Sequence, residues 1–174
     1  IGIEIFKSFL DKLGITEKID FDIEVVVSPL PLTWGKCKLA TSSFGHGITT
    51  TALQLTKAYA IISNGGYLVK PTLIKQENFD KSKNKKILNE GISSQVNFTL
   101  RKIVSSKEGT AGFANVPGYN VGGKTGTAQK TLMGKYSKEK VNTFVAVFPS
   151  KNPQYVLLVL LDEPKAVSYT HLTL

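Results

Sequence analysis

One lysine, two threonines and a glycine stand together at Lys124-Thr125-Gly126-Thr127, within Val121-Gly-Gly-Lys-Thr-Gly-Thr-Ala-Gln129. A cation, two hydroxyls and a residue without a side chain are groups with which a short segment can hold an anion. Two geometries would let them do it. Counted from Gly118, the string Gly118-Tyr-Asn-Val-Gly-Gly-Lys124-Thr125 satisfies the phosphate-loop pattern, in which amides at a helix N-terminus face phosphates. Placed instead on an exposed strand, Lys124 to Thr127 would offer charge, hydroxyls and strand amides to an extended peptide by β-augmentation.

The elements around the motif separate the two. A phosphate loop needs a buried strand ending at Gly118 and a helix starting at Lys124-Thr125. Asn115-Val116-Pro117 is too short and too proline-limited for such a strand, and Ala128 to Lys140 shows no apolar face at helical spacing. Tyr119-Asn-Val121 followed by small and β-branched residues reads as a strand that carries the motif. On a strand, Gly126 would leave room for substrate backbone to approach; an ordinary surface strand with a glycine bulge is the plainer alternative.

Composition bounds the partners. The 174 residues have the length of one domain, and 41% hydrophobic content suits a globular core. The longest apolar run, Val156 to Leu161, is far below the roughly 18 residues of a membrane span. A formal charge of +9 raises a nucleic-acid reading, but Lys81, Lys83, Lys85 and Lys86 lie in one polar stretch without interleaved aromatics, which describes a solvated loop. The same charge suits a domain beside anionic lipid or an anionic wall polymer. Cys37 has no partner cysteine and is expected to be a small buried residue; with only His46 and His171, neither a zinc site nor another cofactor is indicated. The chain opens at Ile1-Gly2 without Met and is expected to be part of something longer, with residues 1–166 one portion of a domain and 167–174, Val-Ser-Tyr-Thr-His-Leu-Thr-Leu, an adapter-derived tail.

Along the chain, Ile5, Phe6, Phe9, Leu10 and Leu13 recur at helical spacing and stop at Gly14, predicting an amphipathic helix. Ile15 to Lys38, with Pro29 and Pro31, reads as a connecting loop anchored by Trp34. Thr51-Ala-Leu-Gln54 has the form of a capping box, predicting a helix with Leu55, Ala58, Tyr59 and Ile62 on one face and Asn64-Gly65-Gly66 at its end. An extended piece over Tyr67 to Ile74 and the lysine-rich loop follow. A further helix should be capped by Ser93 or Ser94, with Val96, Leu100 and Ile103 buried. Val141 to Phe148 and Tyr155 to Leu161 read as strands joined through Pro149-Ser-Lys-Asn-Pro153. Helices followed by an antiparallel meander give an α+β fold.

The Lys-Thr-Gly box occurs together with Ser43-Phe-Gly-His-Gly-Ile48, Thr51-Ala-Leu-Gln-Leu55, Ala58-Tyr59, Asn64-Gly-Gly66 and Gly109-Thr-Ala111. In that order they resemble class B penicillin-binding transpeptidases over essentially all of residues 1–166, and the Ser-Phe-Gly-His-Gly segment is most similar to the division-specific enzyme. The resemblance implies the penicillin-binding protein and serine β-lactamase-like fold, an antiparallel sheet flanked by helices, here incomplete. It implies a serine peptidoglycan D,D-transpeptidase at the periplasmic face of the inner membrane, with its anchor helix upstream. Its partners would be D-Ala-D-Ala stem peptides, β-lactams and divisome membrane proteins. Thr125 and Thr127 hydroxyls would hold the terminal carboxylate, the Thr127 amide would be an oxyanion donor, Lys124 would add charge, and Gly126 would admit the peptide.

The family's Ser-x-x-Lys and Ser-x-Asn boxes are not in plausible places. Ser82-Lys-Asn-Lys85 and Ser137-Lys-Glu-Lys140 match the first as strings, and Ser82-Lys-Asn84 and Ser150-Lys-Asn152 the second. The first two sit in hydrophilic stretches close to the Lys-Thr-Gly box, and neither of the second two precedes the opening helix, so the chain is expected to be inactive alone. His46, between two glycines, is given no catalytic part. A non-catalytic penicillin-sensing or interaction domain on the same scaffold is the alternative from another class.

Overall fold

In the computed structural model, residues 2–25, 34, 36–77, 80–132 and 135–165 are described. They form two compact units, 1–61 with 67–87, and 62–66 with 88 onward. The expectations for Pro29 and Pro31 and for the tail at 167–174 lie outside the described residues. Among the described residues, no helix is long and apolar enough to cross a membrane.

The first unit holds α1 (Ile3–Lys12), α2 (Lys36–Ser42) and most of α3 (Ala52–Ser63). The periodic stripe of α1 forms its helix and stops where expected, with Gly14 at φ +74. No residue of α1 is buried; Leu13 and Ile15, just past its end, are. Trp34 does anchor the following segment: its ring meets Phe6 edge-on at 6.0 Å and lies 5.6 Å from Lys38 Nζ. Helix α2 is a departure from the predicted loop, because seven residues without a cap signature carry too little periodicity to read. Cys37, in its first turn, is exposed rather than buried: the turn presents it to solvent.

The capping box forms as predicted. Thr51 N donates to Gln54 Oε1 at 2.8 Å and Gln54 N to Thr51 Oγ1 at 3.2 Å. Gln54 Nε2 also reaches the Glu17 carbonyl at 2.8 Å, which buries the glutamine and turns the helix. The buried stripe is therefore Gln54, Ala58 and Ile61, with Leu55 and Ile62 at its margins. Tyr67 to Ile74 is not a strand; a bridge pairs Tyr67 with Lys86, and Asp22 holds the rest by accepting from the Thr72 hydroxyl at 2.6 Å and from the Leu73 amide. The Thr72 bond first, then the Leu73 amide, keeps the Asp22 carboxyl below its ordinary value.

The second unit carries α4 (Glu90–Ser105) and the antiparallel sheet β1 (Gly122–Leu132), β2 (Lys135–Phe148) and β3 (Tyr155–Asp162), in the order β1-β2-β3. The cap of α4 is Asn89, whose side chain accepts from Gly91 N, and not Ser93 or Ser94. Ser93 lies a turn inside, where its hydroxyl donates to the Ile62 carbonyl at 2.5 Å and accepts from Gly65 N at 3.0 Å. It closes the chain reversal at Gly65 and Gly66, both at positive φ. The buried face of α4 is Ser93, Asn97, Leu100 and Val104, so only Leu100 of the predicted three is fully buried. Val104 joins Ala111, Val121 and Ala146 in a core flanked by Phe144 and Phe148.

Candidate active site

The residues of the motif all fall on β1, which pairs with β2 along one edge: Lys124 opposite Val145, Thr125 opposite Phe144, Gly126 opposite Thr143 and Thr127 opposite Asn142. Among the described residues no strand occupies its other edge. The strand runs on to Leu132, so no helix opens at Lys124-Thr125, and the phosphate-cradle geometry is not formed.

Strand alternation divides the side chains. Lys124 and Gly126 lie on one face, Thr125 and Thr127 on the other. Lys124 is exposed but does not extend into solvent: Nζ turns back to the Thr125 carbonyl at 2.6 Å. That contact keeps the positive charge against the strand. Thr125 is half-buried and its hydroxyl stands 3.4 Å from that of Thr110. Thr127 is exposed. Behind Thr125 opens an apolar cleft of about 400 Å³ whose walls include Ala111, Phe144, Ala146 and Leu157. The threonine pair therefore stands where a polar edge meets an apolar hollow, an arrangement that can orient a ligand with a carboxylate next to an aliphatic group.

The glycines have packing reasons that their spacing did not reveal. A Cβ at Gly123 would lie 2.5 Å from Phe144 Cζ and 2.6 Å from the Val145 carbonyl oxygen. A Cβ at Gly126 would lie 2.6 Å from Thr143 Oγ1, which itself donates to the Gly126 carbonyl at 3.4 Å. Gly126 is thus packed closely against its neighbour in the sheet, a constraint separate from any approach by a peptide. Gly122 rests on α4, where a Cβ would come 3.0 Å from Arg101 N.

Other candidates fall elsewhere. His46 is half-buried in a turn between Gly45 and Gly47, both at positive φ, with its amide donating to the Thr41 carbonyl at 3.0 Å and its ring 5.4 Å from Phe44. Ser137 lies where the β1–β2 register shifts, and its hydroxyl accepts from the Glu139 amide at 3.2 Å. Ser150 is buried in the β2–β3 connection, and Ser82 is engaged with Asp80 at 2.7 Å. Two neighbours of the motif were not visible as such. Thr110 belonged to a recognisable Gly-Thr-Ala segment but had no assigned part, whereas Arg101, bonded to the Val121 carbonyl at 2.7 Å, is 20 residues distant and carried no local signal.

The family model of the penicillin binding protein transpeptidase domain matches residues 1–173, and the chain belongs to that family. Among curated relatives, a probable peptidoglycan D,D-transpeptidase FtsI of Caulobacter vibrioides is 32% identical over 174 residues, 95% of this chain and 30% of the relative. Stage V sporulation protein D of Bacillus subtilis is 32% identical over 180 residues, 95% of this chain and 27% of the relative. Among solved structures, the apo transpeptidase domain of Burkholderia pseudomallei penicillin-binding protein 3 superposes with TM-score 0.84 at 29% identity, covering 94% of this chain and 50% of that one. Penicillin-binding protein 3 of Mycobacterium tuberculosis, complexed with aztreonam, superposes with TM-score 0.81 at 27% identity, covering 95% and 41%. The chain spans about a third or less of the curated relatives' length and half of the Burkholderia domain. Its α+β architecture is that of these transpeptidase domains.

Proposed function

We propose that this chain is the Lys-Thr-Gly-bearing portion of a division-type peptidoglycan D,D-transpeptidase, and that β1 is the strand on which the D-Ala-D-Ala end of a stem peptide lies. The observation that carries this reading is the placement of Lys124 to Thr127 on an outer strand with an open edge beside a polar–apolar cleft. Main-chain pairing along that edge supplies affinity, and side chains at alternate positions supply selectivity. Thr125 and Thr127 hydroxyls hold the terminal carboxylate, with the Lys124 ammonium close to the strand to favour that charge. The Thr127 amide donates to the carbonyl oxygen as negative charge develops on it; one such donor is worth about a hundredfold to a thousandfold in rate.

In the complete enzyme a serine hydroxyl attacks the penultimate D-Ala carbonyl, the C–N bond breaks, and the terminal D-Ala leaves with the serine's proton. An acceptor amine then attacks the ester and the serine oxygen recovers a proton. A β-lactam enters by the same acylation, in keeping with the aztreonam complex of the Mycobacterium relative. Enzyme, stem peptide and division partners meet at the periplasmic face of the inner membrane. With its Ser-x-x-Lys and Ser-x-Asn strings only in implausible places, the chain by itself binds without reacting.

The test has two arms. Incubation of the 174-residue chain with a fluorescent penicillin should leave no covalent label; stoichiometric labelling would show that a nucleophile is present. Titration with diacetyl-Lys-D-Ala-D-Ala should shift the backbone amide resonances of Lys124 to Thr127, and amides that stay put there at saturating peptide would end the substrate-strand reading.

A further inference from the structure

An edge strand that pairs with a peptide on one side and β2 on the other must stay extended when the outer side is empty. Both ends of β1 are tied to elements other than its pairing neighbour. At the entrance, Arg101 of α4 donates through Nη1 to the Val121 carbonyl at 2.7 Å and to Asn115 Oδ1 at 2.9 Å. At the far end the β1–β2 register shifts between Gln129 and Thr131, so the ladder is interrupted at Lys130. There Lys130 reaches past β2 to the end of β3, where Nζ lies 3.0 Å from Asp162 Oδ1 and 2.6 Å from Glu163 Oε1.

Backbone conformation marks the same two places. Among the described residues, the non-glycine residues at positive φ are Asn120 (φ 50) and Glu163 (φ 49). Such residues persist where surrounding contacts over-determine them. Asn120 immediately precedes Val121, and its carbonyl accepts from Ser150 N at 2.9 Å. Glu163 presents its carboxylate to Lys130 while its own amide donates to the Lys140 carbonyl at 3.0 Å, and Lys140 pairs with Gln129 of β1.

We propose that Arg101 and Lys130 are positioning residues that brace the two ends of β1, so that Lys124 to Thr127 are held in a binding-ready extended conformation without a ligand. This rests on the reading of β1 as the substrate strand, but it concerns the strand's preorganisation rather than its contacts. The two carboxylates also raise the Lys130 pKa, with the Glu163 hydrogen bond the larger cause and Asp162 the second. That shift provides a spectroscopic handle on the brace.

Amide hydrogen exchange, followed residue by residue on the full chain, tests the proposal in Lys130→Met, Lys130→Arg, Arg101→Met and Glu163→Gln, with peptide titration in parallel. Exchange at the Lys124 and Gly126 amides, which face β2 while those of Thr125 and Thr127 face the open edge, should rise at least about tenfold in Lys130→Met and Arg101→Met, with Leu100 and Val104 of α4 unchanged. Lys130→Arg should restore protection, and Glu163→Gln should lower the Lys130 titration midpoint while loosening the strand less. This pattern supports the brace even if the unmodified chain binds no peptide, an outcome that would remove only the functional reading. Unchanged exchange at Lys124 and Gly126 overturns the brace. So does a uniform rise through α4 and the sheet, or failure of Lys130→Arg to restore protection.

Discussion

The two outer strands of the sheet are built for opposite ends. From Lys124 to Lys130, β1 presents charges, hydroxyls, an amide and small residues; from Val156 to Leu161, β3 presents aliphatic side chains without a charge. On β3, Leu157 is 48% and Leu160 49% exposed, whereas Val121, the apolar residue just before β1, is buried. Unpaired strand edges recruit other strands, and charge is one device by which proteins limit this. A strand that must take a peptide and release it needs an edge that is soluble when empty, which lysine and threonine provide. An uncharged aliphatic edge and face suit permanent cover instead. Composition along two strands of one sheet thus separates a polar edge, suited to the transient pairing proposed for β1, from an aliphatic one.

The sharpest way to break this contrast is at the glycines that seat β1. Gly123→Ala should be the most costly change, because the new methyl meets both the Phe144 ring and a backbone oxygen of the neighbouring strand. Overpacking of this kind costs roughly 1–3 kcal/mol. Urea unfolding should show the unfolding free energy fall by that amount, and a value within error of the unmodified chain would mean that β1 is not seated as closely as this. Gly126→Ala is the subtler case, because its obstacle is a threonine hydroxyl rather than backbone. It should cost about 1 kcal/mol, at the low end of the same range. Thr143→Ala in the same chain should recover most of that through a coupling on the order of 0.5–1 kcal/mol. Peptide affinity separates the two explanations for the glycine: if it returns with stability in the double variant, Gly126 serves the sheet alone, and if it stays lost, the peptide needs the space as well.

The glycines also mark where sequence reading stopped. Period and capping were legible: the α1 stripe, the Thr51–Gln54 box, the two apolar strands and their proline-bounded connection are local signals, and each element formed. The strand character of Lys124 to Thr127 followed from the absence of a helical face beyond Ala128, again a local property. What failed was set by partners distant in sequence. Ser93 looks like a cap, but its hydroxyl is used 31 residues away at Ile62. Gln54 turns the buried face of α3 because it bonds Glu17, 37 residues back. Within the site, Gly126 was legible as a place of close approach but not as a contact of Thr143. The braces from Arg101 and Lys130 depend on tertiary placement that no spacing rule encodes.

The smallest effect on stability is expected on the other strand. Leu160 lies half exposed on β3, on the face shared with Val156 and Leu158, and is paired with Thr143 of β2. Replacing it with lysine removes little buried area and places a charge on an aliphatic surface, so the unfolding free energy should move by no more than about 0.5 kcal/mol. Solution behaviour should change more than stability. Exposed apolar strand residues favour association between molecules, and a charge on the solvent face opposes it. Sedimentation of the unmodified chain across a concentration series should reveal self-association that Leu160→Lys reduces, while Lys124→Ala on β1 leaves it unchanged. If Lys124→Ala increases association as much as Leu160→Lys reduces it, then charge protects both edges alike. The division into a transient edge and a covered one would then have to rest on β1's glycines and braces alone.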